Sequence, residues 1–214
     1  MKKRIVLLGP PASGKGTQAE LIQKRFGIAA TSTGAILRAE AKRGTPTGLK
    51  AGKIIATGSL APDEMVLHLV AAWLDKSDGS FLFDGFPRTV AQAQCFEGLL
   101  CERQWALEFA VLLEVPDPVI RARMLRRLTC SNCGKVISVG RHVRDAGEPC
   151  PNCGGQLEAR DDDTVSALAH RMEEYREKTV PVADFYNRRD ILARVDASRA
   201  GEAVFKDVSQ LIVA

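Results

Sequence analysis

Arg4-Ile5-Val6-Leu7-Leu8 forms a short apolar run that stops at Gly9. A continuous run of this length, closed by glycine, predicts a strand buried on both faces. A helical pattern follows from Gly14 to about Phe26. From about 32 to 61 the chain is polar and rich in Gly and Thr, with room for two short helices. Pro62-Asp63-Glu64 then starts a helix that runs to about Asp75, with proline in the first turn and acids at the positive end of the dipole. Ser80–Asp84 predicts the next strand, Val90–Leu100 a helix, and Phe109–Val115 a third buried strand. Pro116-Asp117-Pro118 opens another helix. A segment from about 127 to 164 breaks the pattern with Gly, Pro and Cys. A long charged helix over about Thr164–Arg188, a strand at Ile191–Val195 and a helix over about Gly201–Ile212 complete the chain. Strands alternating with helices predict an α/β fold, a parallel sheet covered on both faces.

The 214 residues suit one compact core carrying one or two insertions. The net charge of +4 is mild, which argues against a dedicated duplex-DNA binder. No stretch approaches the ~20 apolar residues that span a membrane. The basic start followed by Ile5–Leu8 is shorter than the ~7–15 apolar residues of a signal-peptide core, so a cytoplasmic protein is expected. Of the six cysteines, four fall in two Cys-x-x-Cys pairs, a pattern of metal binding more than of disulfides.

Two motifs carry chemistry. Gly9-Pro10-Pro11-Ala12-Ser13-Gly14-Lys15-Gly16-Thr17 has the Gly-x4-Gly-Lys spacing of a phosphate loop, between a predicted strand and a predicted helix. Backbone N–H groups must turn inward around a polyanion, so small residues are needed there. The helix N-terminus adds partial positive charge and Lys15 a full one. Cys130-Ser-Asn-Cys133 and Cys150-Pro-Asn-Cys153 enclose sixteen residues, a spacing that predicts a Zn2+ site. Four thiolates leave no open position, so this zinc is expected to be structural. Gly134 and Gly154 follow each pair and permit the tight turns that aim backbone N–H groups at sulfur. His142 is expected at the surface and not as a ligand, and Cys95 and Cys101 are expected as buried apolar residues on their helix.

The ending Gly14-Lys15-Gly16-Thr17 resembles the nucleoside monophosphate kinases, and among them the adenylate kinases. Ser32-Thr33-Gly34 with Leu37-Arg38, Asp84-Gly85-Phe86-Pro87-Arg88-Thr89 with Gln92, and Arg160-Asp161-Asp162-Asp163 with Arg171 are similar to that family's motifs, in its order. The cysteine segment is similar to the zinc-bearing long lid of many bacterial members. The resemblance implies a five-stranded parallel sheet with a phosphate loop, flanked by helices. It divides the chain into a core of 1–31, 62–126 and 165–214, a small helical monophosphate-binding insertion at 32–61, and a zinc-ribbon-like lid at 127–164. It implies reversible transfer of a phosphoryl group from ATP to AMP, giving two ADP, with Mg2+, in a monomer that engages neither membrane nor nucleic acid.

By the same resemblance, Pro11, Ala12, Ser13, Gly14, Lys15, Gly16, Thr17, Arg123, Arg127, Val136, Ile137 and Arg199 serve ATP. Thr33, Arg38, Ser59, Leu60, Ala61, Gly85, Phe86, Pro87, Arg88, Gln92, Arg160 and Arg171 serve AMP. Lys15, Asp84, Arg88, Arg123, Arg160 and Arg171 carry catalysis. Many arginines from different segments are what two anionic nucleotides in a dry site demand. Arg123 and Arg127, four apart, are expected on one helix face. Asp84, at the end of a predicted strand, suits Mg2+ held through water. Gln92 offers a donor and an acceptor to an adenine edge.

Three positions depart from the family pattern. Ala12 replaces a glycine and is tolerable only if its φ is negative. Ala35 replaces an aspartate. Anchored on Cys130, Arg127 keeps the lid-hinge arginine while Leu128 loses a second one, although counting from the helix side favours Arg126. Two other readings stand beside this one. A kinase for UMP, CMP or GMP would differ by a few hydrogen bonds in the base pocket. A zinc ribbon that binds nucleic acid would need stacking aromatics, and Thr129–Glu158 contains no Phe, Tyr or Trp.

Overall fold

The computed structural model describes residues 1–56, 59–159 and 164–214. The chain runs through β1 (Arg4–Leu8), α1 (Lys15–Phe26), β2 (Ala30–Ser32), α2 (Thr33–Lys42), α3 (Pro46–Ala56) and α4 (Asp63–Leu74). It continues through β3 (Phe81–Asp84), α5 (Val90–Cys101), β4 (Phe109–Glu114), α6 (Asp117–Leu125), β5 (Arg127–Cys130), β6 (Val136–Ser138) and β7 (Leu157–Glu158). It ends with α7 (Val165–Glu174), a π-helical turn at Tyr175–Thr179, α8 (Val180–Asn187), β8 (Leu192–Asp196) and α9 (Gly201–Val213).

Among the described residues, β2-β3-β1-β4-β8 form one sheet in that order, every pair parallel. Successive side chains leave a strand on opposite faces. Val6, Leu8, Phe81, Phe83, Ala110 and Leu112 therefore pack with α4, α5 and α8. Ile5, Leu7, Leu82, Phe109, Val111 and Leu113 pack with α1 and α9 on the other face. Burial on both faces is why these strands read as unbroken apolar runs. The strand order reverses at β1, between β3 and β4, which opens a crevice at the carboxyl ends of these strands.

The fifth strand, β2, has no apolar run to announce it. Ala30-Thr31-Ser32 is extended because its backbone pairs with Leu82, Phe83 and Asp84. The predicted single helix over 164–188 is also divided. Pro181 supplies no N–H to the ladder, and the π-helical turn precedes it, letting α7 and α8 share one course.

A separate three-stranded antiparallel sheet, β6-β5-β7, carries the cysteines. Its small core is Leu128, Cys130, Ile137, Val143, Cys150 and Leu157. Leu128, where the family pattern has arginine, fills this core. Cys95 and Cys101 are exposed, contrary to the expectation of burial. The buried stripe of α5 is Gln92, Ala93, Phe96 and Leu100, and both cysteines lie off it. Among the described residues, no helix is long and apolar enough to cross a membrane.

Candidate active site

The loop after β1 reaches the crevice with unusual backbone at three residues. Gly9 has φ 144, and a Cβ there would lie 2.7 Å from the Leu113 carbonyl oxygen, so only glycine fits. Gly14 caps α1 from the left-handed region and supplies no side-chain cap. The first turn of α1 thus has no side-chain cap, an arrangement that suits an anion at the helix N-terminus. Ala12 has φ 55, so the condition of a negative φ is not met. The left-handed region costs an alanine roughly 1–2 kcal/mol. The Ala12 methyl, however, packs against Ile120, Met124, Leu168 and Met172 of α6 and α7. Partial burial of this methyl returns at most about 0.8 kcal/mol of that cost.

Lys15 curls back over the loop. Its Nζ donates to the Gly9 and Pro10 carbonyl oxygens at 2.8 Å each and to Ser13 Oγ at 3.3 Å. Burial lowers its ammonium to a pKa of about 8, with Asp84 acting in the opposite sense. Burial likewise raises the Asp84 carboxyl, against the pull of Lys15, Arg88, Arg38 and Arg127. Asp84 ends β3, and its Oδ2 lies 3.5 Å from where a Gly16 side chain would begin. Gly85, at φ 67, separates Arg88 from Lys15: a Cβ there would sit 3.4 Å from Arg88 Nη2 and 3.6 Å from Lys15 Cε.

Four arginines from four segments act on this Lys15–Asp84 pair. Arg38 comes from α2, Arg88 from the loop after β3, Arg127 from β5 and Arg171 from α7. Arg88 Nε also donates to the Gly85 carbonyl at 2.8 Å. Arg127 is half-buried in this field, whereas Arg126 is exposed at the end of α6. Because α6 stops at Leu125, Arg123 and Arg127 reach the crevice from different elements and not from one helix face. Arg123 donates from Nη2 to the carbonyls of Ala197 at 2.8 Å, Ser198 at 3.1 Å and Arg199 at 3.3 Å. Its Nη1 reaches the Ser13 carbonyl at 3.4 Å, tying the phosphate loop to the loop after β8. Arg160 lies outside the described residues.

The residues expected on the monophosphate side divide by what they can offer. Phe86 is fully buried and stacks edge-on against Phe83 and Phe96, and Pro87 is buried beside it. Both can present only backbone to a ligand. Thr33 Oγ1 donates to the Gly85 carbonyl at 3.4 Å. Ala61 is in the core and Leu60 half-buried, while Ser59 Oγ lies 3.1 Å from His170 Nε2 on α7. Gln92 is buried. Its Oε1 accepts from Arg88 N at 2.8 Å and its Nε2 donates to Asp63 Oδ1 at 2.6 Å. On the lid, Val136 is exposed, but the Ile137 side chain is buried in the lid's own core.

The sulfur atoms of Cys130, Cys133, Cys150 and Cys153 lie within 4.8 Å of one another. A tetrahedron with Zn–S bonds of 2.3 Å has edges of about 3.8 Å, so the set fits that ion. Gly134 and Gly154, at φ 70 and 71, make matching turns, and the N–H groups of Lys135 and Gly155 point at Cys133 and Cys153. His142 is exposed, and its Nδ1 accepts from Ser138 N at 2.9 Å, outside the sulfur cluster.

The family model for adenylate kinase matches residues 7–191. The chain belongs to the adenylate kinase family. It is a phosphotransferase of the nucleoside monophosphate kinase type. Similar relatives include an adenylate kinase of Gloeobacter violaceus, 38% identical over 216 residues and covering 98% of both chains. An adenylate kinase of Clostridium botulinum (strain Eklund 17B / Type B) is 38% identical over 211 residues, again covering 98% of both. One of Syntrophobacter fumaroxidans is 37% identical over 210 residues, covering 97% of this chain and 99% of its own.

Several residues of the site were assigned no role from the sequence, although Thr89 lies in a quoted motif and Asp63 in a helix start. Asp63, Thr89 and Thr179 hold the backbone and neighbours of Arg88. Arg141 of the lid lies against Gly201 and close enough to Arg123 to lower its pKa, after burial. These residues are ordinary in type, and only tertiary contact distinguishes them.

Proposed function

We propose that this chain transfers the γ-phosphoryl group of ATP directly to AMP, in line and without a covalent intermediate. The observation that carries the reading is the half-buried Lys15–Asp84 pair surrounded by Arg38, Arg88, Arg127 and Arg171. So much positive charge in a water-poor crevice is costly until two polyanions fill it. The phosphate loop and Lys15 hold the ATP phosphates, with Arg123 and Arg127 beside them. Arg38 and Arg88 hold the phosphate of AMP. Arg171, with Arg160, reaches the transferring group when the lid at 127–164 and the insertion at 32–61 close on the core. The backbone of the 197–199 loop, held by Arg123, borders the ATP base. Val136 and the Ile137 backbone border it from the lid.

Mg2+ bound with ATP would supply charge neutralisation at its phosphates. Asp84 would hold its water shell. Cys130, Cys133, Cys150 and Cys153 would hold a structural Zn2+ that stiffens the lid. The reading is completed by a cytoplasmic monomer.

A coupled assay with ATP and each of AMP, UMP, CMP and GMP tests this. ADP formation is expected to be fastest with AMP. Faster turnover with UMP than with AMP would overturn it.

A further inference from the structure

Asp63 belongs to no motif that the reaction needs, yet it is tied into the Gln92 side chain from another helix. Asp63 begins α4 and Gln92 lies in the first turn of α5. Gln92 Nε2 donates to Asp63 Oδ1 at 2.6 Å, and Thr89 Oγ1 donates to Asp63 Oδ2 at 2.9 Å. Thr89 Oγ1 in turn accepts from Gln92 N at 3.0 Å, so the carboxylate is oriented by the cap of the same helix. On its other side, Gln92 Oε1 accepts from Arg88 N at 2.8 Å.

These partners dictate which way the carboxamide faces. A backbone N–H can only donate and a carboxylate can only accept. Turning the amide over would set its N–H groups against Arg88 N–H and its oxygen against Asp63. With Gln92 only 2% exposed, little of its side chain can turn to water to relieve that arrangement. One acceptor position on Oε1 and one donor on Nε2 remain in fixed places. Adenine presents an amino group beside a ring acceptor, the complement of such an edge. A purine with O6 in place of that amino group presents an acceptor to the fixed carbonyl oxygen, and only a turned amide could pair with it.

We propose that Asp63 is a positioning residue for base selectivity: it locks the Gln92 carboxamide in the orientation that accepts a 6-amino purine and rejects a 6-oxo purine. The inference rests on the reading of Gln92 as the adenine contact. A loose amide would serve either base, so the gain from Asp63 is discrimination more than turnover.

The test compares kcat/KM for AMP with kcat/KM for inosine monophosphate, which carries O6 where AMP carries the amino group. It is made on the full chain, Asp63→Ala and Gln92→Ala, with thermal melting of each. Asp63→Ala is expected to lower the AMP preference about tenfold, through a raised KM for AMP more than a lowered kcat. Gln92→Ala is expected to lower it at least as far. If Gln92→Ala reduces the preference and a folded Asp63→Ala leaves it intact, the lock is wrong and the base contact stands. If Gln92→Ala leaves the preference intact, the base contact itself is wrong, and the lock falls with it. Should Asp63→Ala fail to fold, Asp63→Leu takes its place. Its side chain is close to aspartate in size and has no acceptor for Gln92 Nε2, so a reduced preference supports the lock and an unchanged one overturns it.

Discussion

At the scale of single residues, Lys15 joins burial to function most directly. Its pKa of about 8 means that the ammonium is held charged against the preference of its surroundings. The charged form is the one that binds phosphate. The kcat/KM for ATP is therefore expected to show an alkaline limb near pH 8, because that parameter reports the free enzyme. Bound polyphosphate favours the ammonium, so the limb in kcat should lie higher. A profile flat to pH 10 in kcat/KM would contradict this role. The sign for stability follows from the same shift. Between about 8 and 10.5 the unfolded chain binds more protons at Lys15 than the folded one, so the nucleotide-free protein gains stability as pH rises through that window. Lys15→Ala is expected to lower kcat at least about 100-fold while the fold persists. Ala12 makes a second residue-scale case. A methyl at φ 55 is tolerated because it packs on the α6–α7 cluster, but a β-branched side chain there is a steric outlier. Ala12→Val should lower the melting temperature and raise KM for ATP. Ala12→Gly relieves the backbone and loses the methyl contact, so its melting temperature should stay within a few degrees, an expectation that calorimetry can check.

At the scale of elements, the cysteine sheet cannot stand on apolar burial alone. Among the described residues its core has six buried members, two of them cysteines, and its strands are two to four residues long. A unit so small needs a staple. Chelation of Zn2+, or Cys150→Ser, is expected to lower the melting temperature and expose the lid to proteolysis. Complete zinc removal with unchanged melting would count against a structural ion. The cluster of four cysteines was legible in sequence because each Cys-x-x-Cys pair is a local pattern. The strand β2 was not, because three small residues carry no periodicity and become a strand only by pairing with β3. The break between α7 and α8 was legible only as Pro181. Whether a proline ends a helix or sits after a π-turn depends on what the helix packs against.

At the scale of the molecule, the phosphate loop, Asp84 and the arginines meet because the strand order reverses at β1. The lid stems are joined below it: Ile120 and Met124 of α6 pack with Leu168 and Met172 of α7, and Ala12 of the phosphate loop touches the same cluster. The lid itself approaches the core at Lys135 with Glu20, at 3.7 Å, and at Arg141 over Gly201. The exposed ion pair adds little stability, so it is compatible with a lid that opens. Arg126 and Arg127 illustrate why arrangement matters. Counting residues left both open, and the end of α6 at Leu125 turns one to solvent and the other toward Lys15.

The sequence by itself determined the parts whose chemistry is local: the buried strands, the glycine-rich loop with Lys15, the four clustered cysteines and the arginines at motif positions. Each is set by period, spacing or residue type within a short stretch. Only the tertiary structure decided the left-handed Ala12, the exposure of Cys95 and Cys101, the burial of Ile137 in the lid, and the tie from Asp63 through Gln92 to Arg88. Those depend on surfaces brought together from distant segments, where packing and hydrogen-bond complementarity, not local preference, set the energy.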